Sequence, residues 1–458
     1  MKIKIIDPVI CQTDSPQVLK EFLFTTKTYW KKGQFHREKL EYPHPLVDKK
    51  TGVFLAGFLP RVLRSCKTRG IPVEVEGEFE KIKYDPLLIY PSITLFPDQR
   101  ELVSLGFEKQ RGILAAPTGT GKTVLCYALI YPLMPCKALV ICPSKSILTQ
   151  TAMEFQDNFK MKVSVYGDGK KDLSGDVVVA LINSLNQMEP EEYCTQFDIV
   201  IVDEAHHVAS IPTDREIADG KIGMYYKFLT GCLSPMRIGL TATTDKDGSE
   251  RAMAAEGLLG PVIGRFTFED AVKAERIAKP RVKLIAVPIN TNIRELSTYH
   301  DIYNIGVVFN RIRNNIVTDF IAEQAKAGKT SLAFVKLLEH ADILVNLLKN
   351  KGVPCEYVSG EISGKERERI KLLLESGEVK CVVATSAWRE GVNIPKLDMV
   401  INVAGYLSEK TALQMAGRAL RVSEGKEEGV IVDFLDSGKY LSEHCVRRLL
   451  VYAELGWL

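Results

Sequence analysis

Residues 112–130 read GILAAPTGTGKTVLCYALI, and this stretch decides the fold. A short apolar run enters a glycine-rich loop, and a helix-like apolar segment follows. Strand, loop and helix in that order are the context a phosphate-binding loop requires. Gly119 and Gly121 let the backbone of Pro117, Thr118, Gly119, Thr120 and Gly121 wrap closely around phosphate oxygens. The start of the next helix adds positive potential. Lys122 then reaches the β- and γ-phosphates, and the Thr123 hydroxyl ligates Mg²⁺. Ala116 stands where such loops usually carry their first glycine. ATP with Mg²⁺ is the ligand pair this chemistry implies.

The same texture extends outward from about residue 92. The β-rich runs ALVICP, VVVALI, FDIVIVDE and RIGLTAT alternate with helical stretches. After Lys279-Pro280 the pattern restarts with KLIAVPI, SLAFVK, CEYVSG, CVVATS, MVINVA and GVIVDF. Continuous apolar strands alternating with helices imply parallel sheets covered on both faces. The expectation is an α/β protein with two tandem lobes, 89–279 and 280–458, preceded by a small α+β domain, 1–88. Within that first domain a strand is expected at Lys2–Ile6 and a helix near Gln17–Thr25. TGVFLAGFLPRVLRSCKTRG reads as a turn and a helix, and IPVEVEGEF alternates like a strand. Ligands of open parallel sheets bind at the carboxyl ends of the strands.

Bulk properties narrow the class. A chain of 458 residues suits roughly three domains at about 150 residues each. No apolar run approaches the ~20 residues that cross a bilayer, and MKIKIIDPVICQTD contains no signal-type apolar core. A cytoplasmic protein without membrane partners is expected. The ten cysteines form no CxxC pair, which disfavours zinc, disulfide and iron–sulfur frameworks. They read as small buried hydrophobes in a reducing compartment. Net charge is only +3, yet residues 1–70 hold 14 Lys and Arg against 6 Asp and Glu. That uneven field suits a polyanionic partner and equally a solvated face.

FDIVIVDEAHH (Phe197–His207) is a buried-type strand ending in two carboxylates. Asp203 would hold Mg²⁺ and Glu204 would polarise an attacking water. Alone, such a pair also suits a structural role; downstream of a phosphate loop and followed by Ala205-His206 it reads as catalytic. His206 suits coupling to the neighbouring lobe or simple core packing. QMAGRALR (Gln414–Arg421) puts Arg418 and Arg421 on one helix face. They suit a γ-phosphate clamp from the opposite lobe, or an ordinary basic face.

The ordered set APTGTGKT, DEAH, TAT and QxxGRxxR resembles the superfamily 2 helicases over roughly residues 92–436. The resemblance implies two RecA-like lobes. It implies adenine recognition by Gln99, although Asp98 stands where the family usually has an aromatic. It implies nucleotide contacts by His206, Gln414, Gly391 and Asn393, the last where the family often has Asp. Ser144 and Lys145, Asn183 and Ser184, Ser359 and Gly360, and Thr385 would meet a nucleic-acid backbone. Thr243, in Thr241-Ala242-Thr243, would link hydrolysis to that contact. Phe334–Lys336 resembles a further second-lobe motif.

Within that superfamily the chain looks most like the phage UvsW-type branch-migration helicases, related to RecG and XPB motors. The shared features are compact lobes, the small N-terminal domain, and YNIGVVFNRIRNNIV opening the second lobe. This implies a monomeric DNA motor acting on forks and four-way junctions in replication, recombination or repair, in a host cytoplasm if phage-encoded. Two other readings stay open: a duplex-DNA translocase or RNA helicase without branch migration, and an ATP-switched nucleic-acid sensor.

Overall fold

The computed structural model describes residues 1–32, 37–85, 90–385, 388, 394, 396–405, 417, 420, 426 and 428–458. The chain forms two compact units, one of Met1–Ala116 with Gly121–Phe266, the other of Pro117–Thr120 with Thr267–Leu458.

The first unit opens with a small sheet of β1 (Lys2–Ile5), β2 (Ile10–Thr13), β5 (Val53–Leu55) and β6 (Glu74–Glu76), in the order β5-β2-β1-β6. A hairpin, β3 (Phe24–Lys32) with β4 (Arg37–Pro45), is inserted in it. The helix expected near Gln17–Thr25 is only Pro16–Lys20. The β-branched and aromatic run FTTKTYW favours a strand instead, and β3 takes it.

The large sheet follows. Its strands are β7 (Arg111–Ala115), β8 (Ala138–Cys142), β9 (Val163–Gly167), β10 (Lys170–Lys171), β11 (Val177–Leu181), β12 (Ile199–Asp203), β13 (Met236–Thr241) and β14 (Val262–Arg265). Their order is β10-β9-β11-β8-β12-β13-β7-β14. Pairing is parallel except between β9 and β10. Alternate residues serve opposite faces, as the pleat requires. Leu139, Ile141, Val178, Ala180, Val200 and Val202 enter one core, while Val140, Cys142, Val177, Val179, Ile199 and Ile201 enter the other.

The first of those cores does not stop at the sheet. It continues through Met253, Leu258 and Leu259 into Leu55, Phe58, Val62, Leu19 and Ile3. Residues 1–85 are thus packed on the large sheet's own helix layer. Contact is tightest at Gly57, where a Cβ would lie 2.0 Å from the Glu256 carbonyl oxygen; only glycine fits that approach.

The second unit has a parallel sheet of β15 (Lys279–Ala286), β16 (Ser331–Phe334), β17 (Cys355–Val358), β18 (Cys381–Ala384), β19 (Met399–Asn402) and β20 (Glu428–Leu435). Its order is β15-β20-β19-β16-β18-β17. Helices Arg311–Lys326, Leu338–Asn350, Gly364–Ser376 and Leu441–Glu454 accompany it.

Candidate functional site

Because the large-sheet strands run parallel, their carboxyl ends share one edge. Reading along the order β11-β8-β12-β13-β7, that edge carries Asn183 and Ser184, then Ser144 and Lys145, then Asp203 and Glu204, then Thr241–Thr243, then the glycine-rich loop. The proposed backbone contacts therefore lie at one end and the proposed nucleotide contacts at the other. The carboxylate pair stands between them.

The loop after β7 turns through Gly119 (φ +94°) and Gly121 (φ +87°), conformations that side-chain-bearing residues rarely adopt. Gly121 caps the helix Lys122–Ile130, so the positive helix end faces the loop. The Thr120 hydroxyl donates to the Pro117 carbonyl at 2.8 Å and holds the turn. Gln99 is 2 % exposed. Its Oε1 accepts from the Phe96 N–H at 3.1 Å, and a Cβ on Gly121 would meet its Nε2 at 2.8 Å. The glutamine thus lies directly against the loop.

Lys122 Nζ lies 3.6 Å from Glu204 Oε1. Glu204 sits immediately after β12 with φ +50°, in the left-handed region that costs a non-glycine residue on the order of 1 kcal/mol or more. The strain is held by its surroundings: the Glu204 N–H donates to Asp203 Oδ1 at 2.9 Å, and a 3-10 turn, Ala205–His207, follows at once. Glu204 Oε2 lies 3.4 Å from His206 Nδ1.

His206 Nδ1 also stands 3.1 Å from the Thr241 hydroxyl oxygen. That hydroxyl donates to the Thr243 carbonyl at 2.8 Å and accepts from the Thr243 N–H at 3.2 Å. With its only proton committed, Thr241 can only accept from the imidazole, which assigns the proton to Nδ1. The result is a run of close contacts, Lys122–Glu204–His206–Thr241–Thr243, hydrogen-bonded from His206 onward and held by proximity, at 3.6 and 3.4 Å, on either side of Glu204. Beneath it, Cys126 and Cys142 are buried; burial drives both thiols well above their usual range, and the Asp203 charge adds to that. They remain neutral packing groups.

Among the described residues no group of three or more His, Cys, Asp or Glu side chains is placed to hold a metal ion. One carboxylate at Asp203 and one hydroxyl at Thr123 would instead suit a hard cation that arrives with phosphates and keeps its waters. These residues fit Mg²⁺.

At the other end of the edge, Ser144 caps the helix Lys145–Met153, accepting from the Ile147 N–H at 3.5 Å. Lys145 pairs with Asp168 at 2.5 Å, both largely exposed, a pair worth about 0–1 kcal/mol and easily surrendered. Asn183 is exposed and Ser184 half-buried. Thr243 is 7 % exposed.

In the second unit, β16, β18 and β17 are neighbours. Their ends bring Phe334–Lys336, Thr385 and Ser359-Gly360 to one edge. Ser359 accepts from the Glu361 N–H at 3.3 Å, and Arg367 donates to the Gly360 carbonyl at 2.8 Å. Gly360 is exposed, whereas Ser359 and Thr385 are buried. Gly391, Asn393, Gln414, Arg418 and Arg421 lie outside the described residues.

Several charged groups escaped the sequence reading. Arg61 binds Glu256 and Asp247, and Lys27 binds Glu216 and Glu250. In the second unit, Arg313 grips Asp436 and Arg448 grips Asp433, all four side chains buried. Lys336 lies over the Tyr299 and Tyr303 rings at 5.1 and 4.9 Å.

Residues 92–246 match the family described as Type III restriction enzyme, res subunit, and residues 312–423 match the Helicase conserved C-terminal domain. Together they take in more than half of the chain. Among curated relatives, the DNA 3'-5' translocase XPB2 of Sulfurisphaera tokodaii is 24% identical over 405 residues, covering 80% of this chain and 88% of its own. The ATP-dependent DNA helicase uvsW of Enterobacteria phage T4 is 24% identical over 389 residues, covering 78% and 74%. Among solved structures, S. cerevisiae Dbp5 bound to RNA and ADP BeF3 matches with a TM-score of 0.57 at 16% identity, covering 79% of this chain and 88% of its own. That likeness establishes the fold, a pair of RecA-like lobes. With both helicase domains matched in order, and the phosphate loop and its partner carboxylates on one sheet edge, the chain belongs to the superfamily 2 helicases, similar to the UvsW and XPB motors, and is an ATP-dependent hydrolase.

Proposed function

We propose that this enzyme is a DNA motor that remodels branched DNA, regressing forks and migrating four-way junctions. One observation carries the motor reading: the path from Lys122 through Glu204 and His206 to Thr241–Thr243. It joins the residue that would hold the triphosphate to the segment that would sense the nucleic acid. A carboxylate beside the phosphate lysine favours turnover over a sensor that only binds nucleotide; strand movement is what the junction assay tests.

In the proposed cycle, Lys122 and the loop amides bind the triphosphate, with Gln99 against the loop. Mg²⁺ held by Thr123 and Asp203 would supply charge neutralisation at the phosphate oxygens. Glu204 orients the attacking water and accepts its proton. Arg418 and Arg421 neutralise charge developing on the γ-phosphate. Ser144, Lys145, Asn183, Ser184, Ser359, Gly360 and Thr385 grip backbone phosphates, giving sequence-independent, salt-sensitive binding.

DNA as the substrate is supported by the similarity to the ATP-dependent DNA helicase uvsW and by the basic N-terminal segment; the preference for branched DNA extends the resemblance to the branch-migration helicases. Its test is ATPase stimulation by four-way junction, fork, plain duplex and RNA at equal nucleotide concentration. Junction and fork should stimulate most. Strongest stimulation by plain duplex would leave a translocase without branch specificity, and by RNA an RNA helicase. Among the described residues no helix is long and apolar enough to cross a membrane.

A further inference from the structure

Arg61 lies in the helix Leu59–Thr68, far in sequence from every motif above. Its Nε and Nη2 donate to the two carboxylate oxygens of Glu256 at 2.9 and 2.6 Å, and Nη2 also reaches Asp247 at 2.5 Å. Asp247 belongs to the turn that leads out of Thr241-Ala242-Thr243. Glu256 belongs to the helix Glu250–Leu259 that the turn enters, capped by Ser249. The guanidinium therefore ties the turn to the helix that it enters. A bidentate, planar fork fixes direction as well as distance.

The near end of that turn is fixed differently. Thr241 and Thr243 are tied to each other and to His206. Between the two anchors lies a cavity of about 280 Å³, whose walls include Arg61, His206, Thr241, Thr243, Asp247 and Glu256. The Thr243 hydroxyl is buried there and has no hydrogen-bond partner among the described residues. A cavity of that size beside the turn gives it room to settle elsewhere once an anchor is loosened.

We propose that Arg61 is a positioning residue for hydrolysis: through Asp247 and Glu256 it sets the turn after Thr243, and through that turn the Thr241–His206–Glu204 chain. The placement of residues 1–85 then governs turnover rather than nucleotide affinity. This rests on Glu204 being the water-activating carboxylate.

The test is steady-state ATPase kinetics of the full chain, per folded molecule, for Arg61→Lys, Asp247→Asn and the double variant. Asp247 is largely exposed, so its substitution leaves the core intact. Arg61→Lys keeps the charge but loses the fork; kcat should fall about 5- to 10-fold with the KM for ATP within about 2-fold. Asp247→Asn should lower kcat in the same sense by about 2-fold, and the double variant should fall short of the product of the two. Wild-type kcat in both single variants, or an effect confined to KM or to thermal stability, overturns the proposal. A wild-type protein that does not hydrolyse ATP overturns the reading of the nucleotide site itself.

Discussion

The Nζ of Lys122 and the Oε1 of Glu204 lie 3.6 Å apart, each side chain only 12 % exposed. The pair couples the phosphate-loop lysine to the carboxylate that follows β12. In the proposed cycle a triphosphate would compete with Glu204 for this lysine, and the carboxylate would then be free to take up a water.

Lys122→Ala should lower kcat for ATP by at least about 100-fold, since it removes a preorganised cation from the phosphate oxygens. Phosphate release at saturating ATP measures this. Hydrolysis at the wild-type rate would refute the site.

Glu204→Gln keeps the shape and removes the base. kcat should fall about 10²- to 10⁴-fold, while ATP affinity, measured by equilibrium binding of a fluorescent nucleotide, stays close to that of the wild type. Equal losses in affinity and turnover would make Glu204 a binding group only.

Lys145→Ala should weaken DNA binding uniformly across sequences and reduce the slope of log affinity against log salt by about 1. Its partner Asp168 is half-exposed, so folding is little affected. Anisotropy titrations at several salt concentrations check this; an unchanged slope removes Lys145 from the interface.

Asp433 is 2 % exposed and accepts from Arg448 at 2.7 and 3.0 Å and from the Tyr452 hydroxyl at 3.0 Å. Asp433→Ala strands a buried guanidinium, and should cost about 3–5 kcal/mol. Denaturant unfolding monitors the loss.

Acid should destabilise the protein in two stages. Burial, then the nearby Arg313 charge, hold the His340 imidazole down at about 3 against an ordinary 6.5. A histidine kept neutral in the fold loses stability as pH falls below about 6.5, because the unfolded chain takes up the proton first. Glu216 follows: burial would raise it, but the Lys27 ammonium and the Thr213 N–H and hydroxyl outweigh that and lower it from 4.5 to about 2. Its contribution is present above pH 4.5 and disappears toward pH 2. In denaturation midpoints against pH, His340→Asn should flatten the first stage and Glu216→Gln the second.

What was legible in the sequence follows from how local each signal is. Buried parallel strands are apolar throughout, so β7, β8, β11, β12 and β13 announce themselves. The glycine-rich loop and the Asp203-Glu204 pair are contiguous and sit where such strands end. The β3–β4 hairpin was missed: a helix was expected near Gln17–Thr25, and no element was read in residues 26–50, where β3 and β4 lie for the most part. The Arg61 clamp was invisible for a different reason: its partners lie 186 and 195 residues away, and no periodicity encodes an ion pair across that span. The same holds for the core shared by residues 1–85 and the large sheet. That shared core makes point substitution, rather than deletion of the segment, the sound way to test it.

The most direct test of the motor reading is processing of a synthetic four-way junction by the full chain, with Mg²⁺ and ATP or a non-hydrolysable analogue, beside Glu204→Gln. The wild-type protein should resolve the junction into duplex products only with hydrolysable ATP, and Glu204→Gln should bind the junction without converting it. Brisk ATP hydrolysis on the junction with no strand moved, or conversion that proceeds equally with the analogue, would contradict the account.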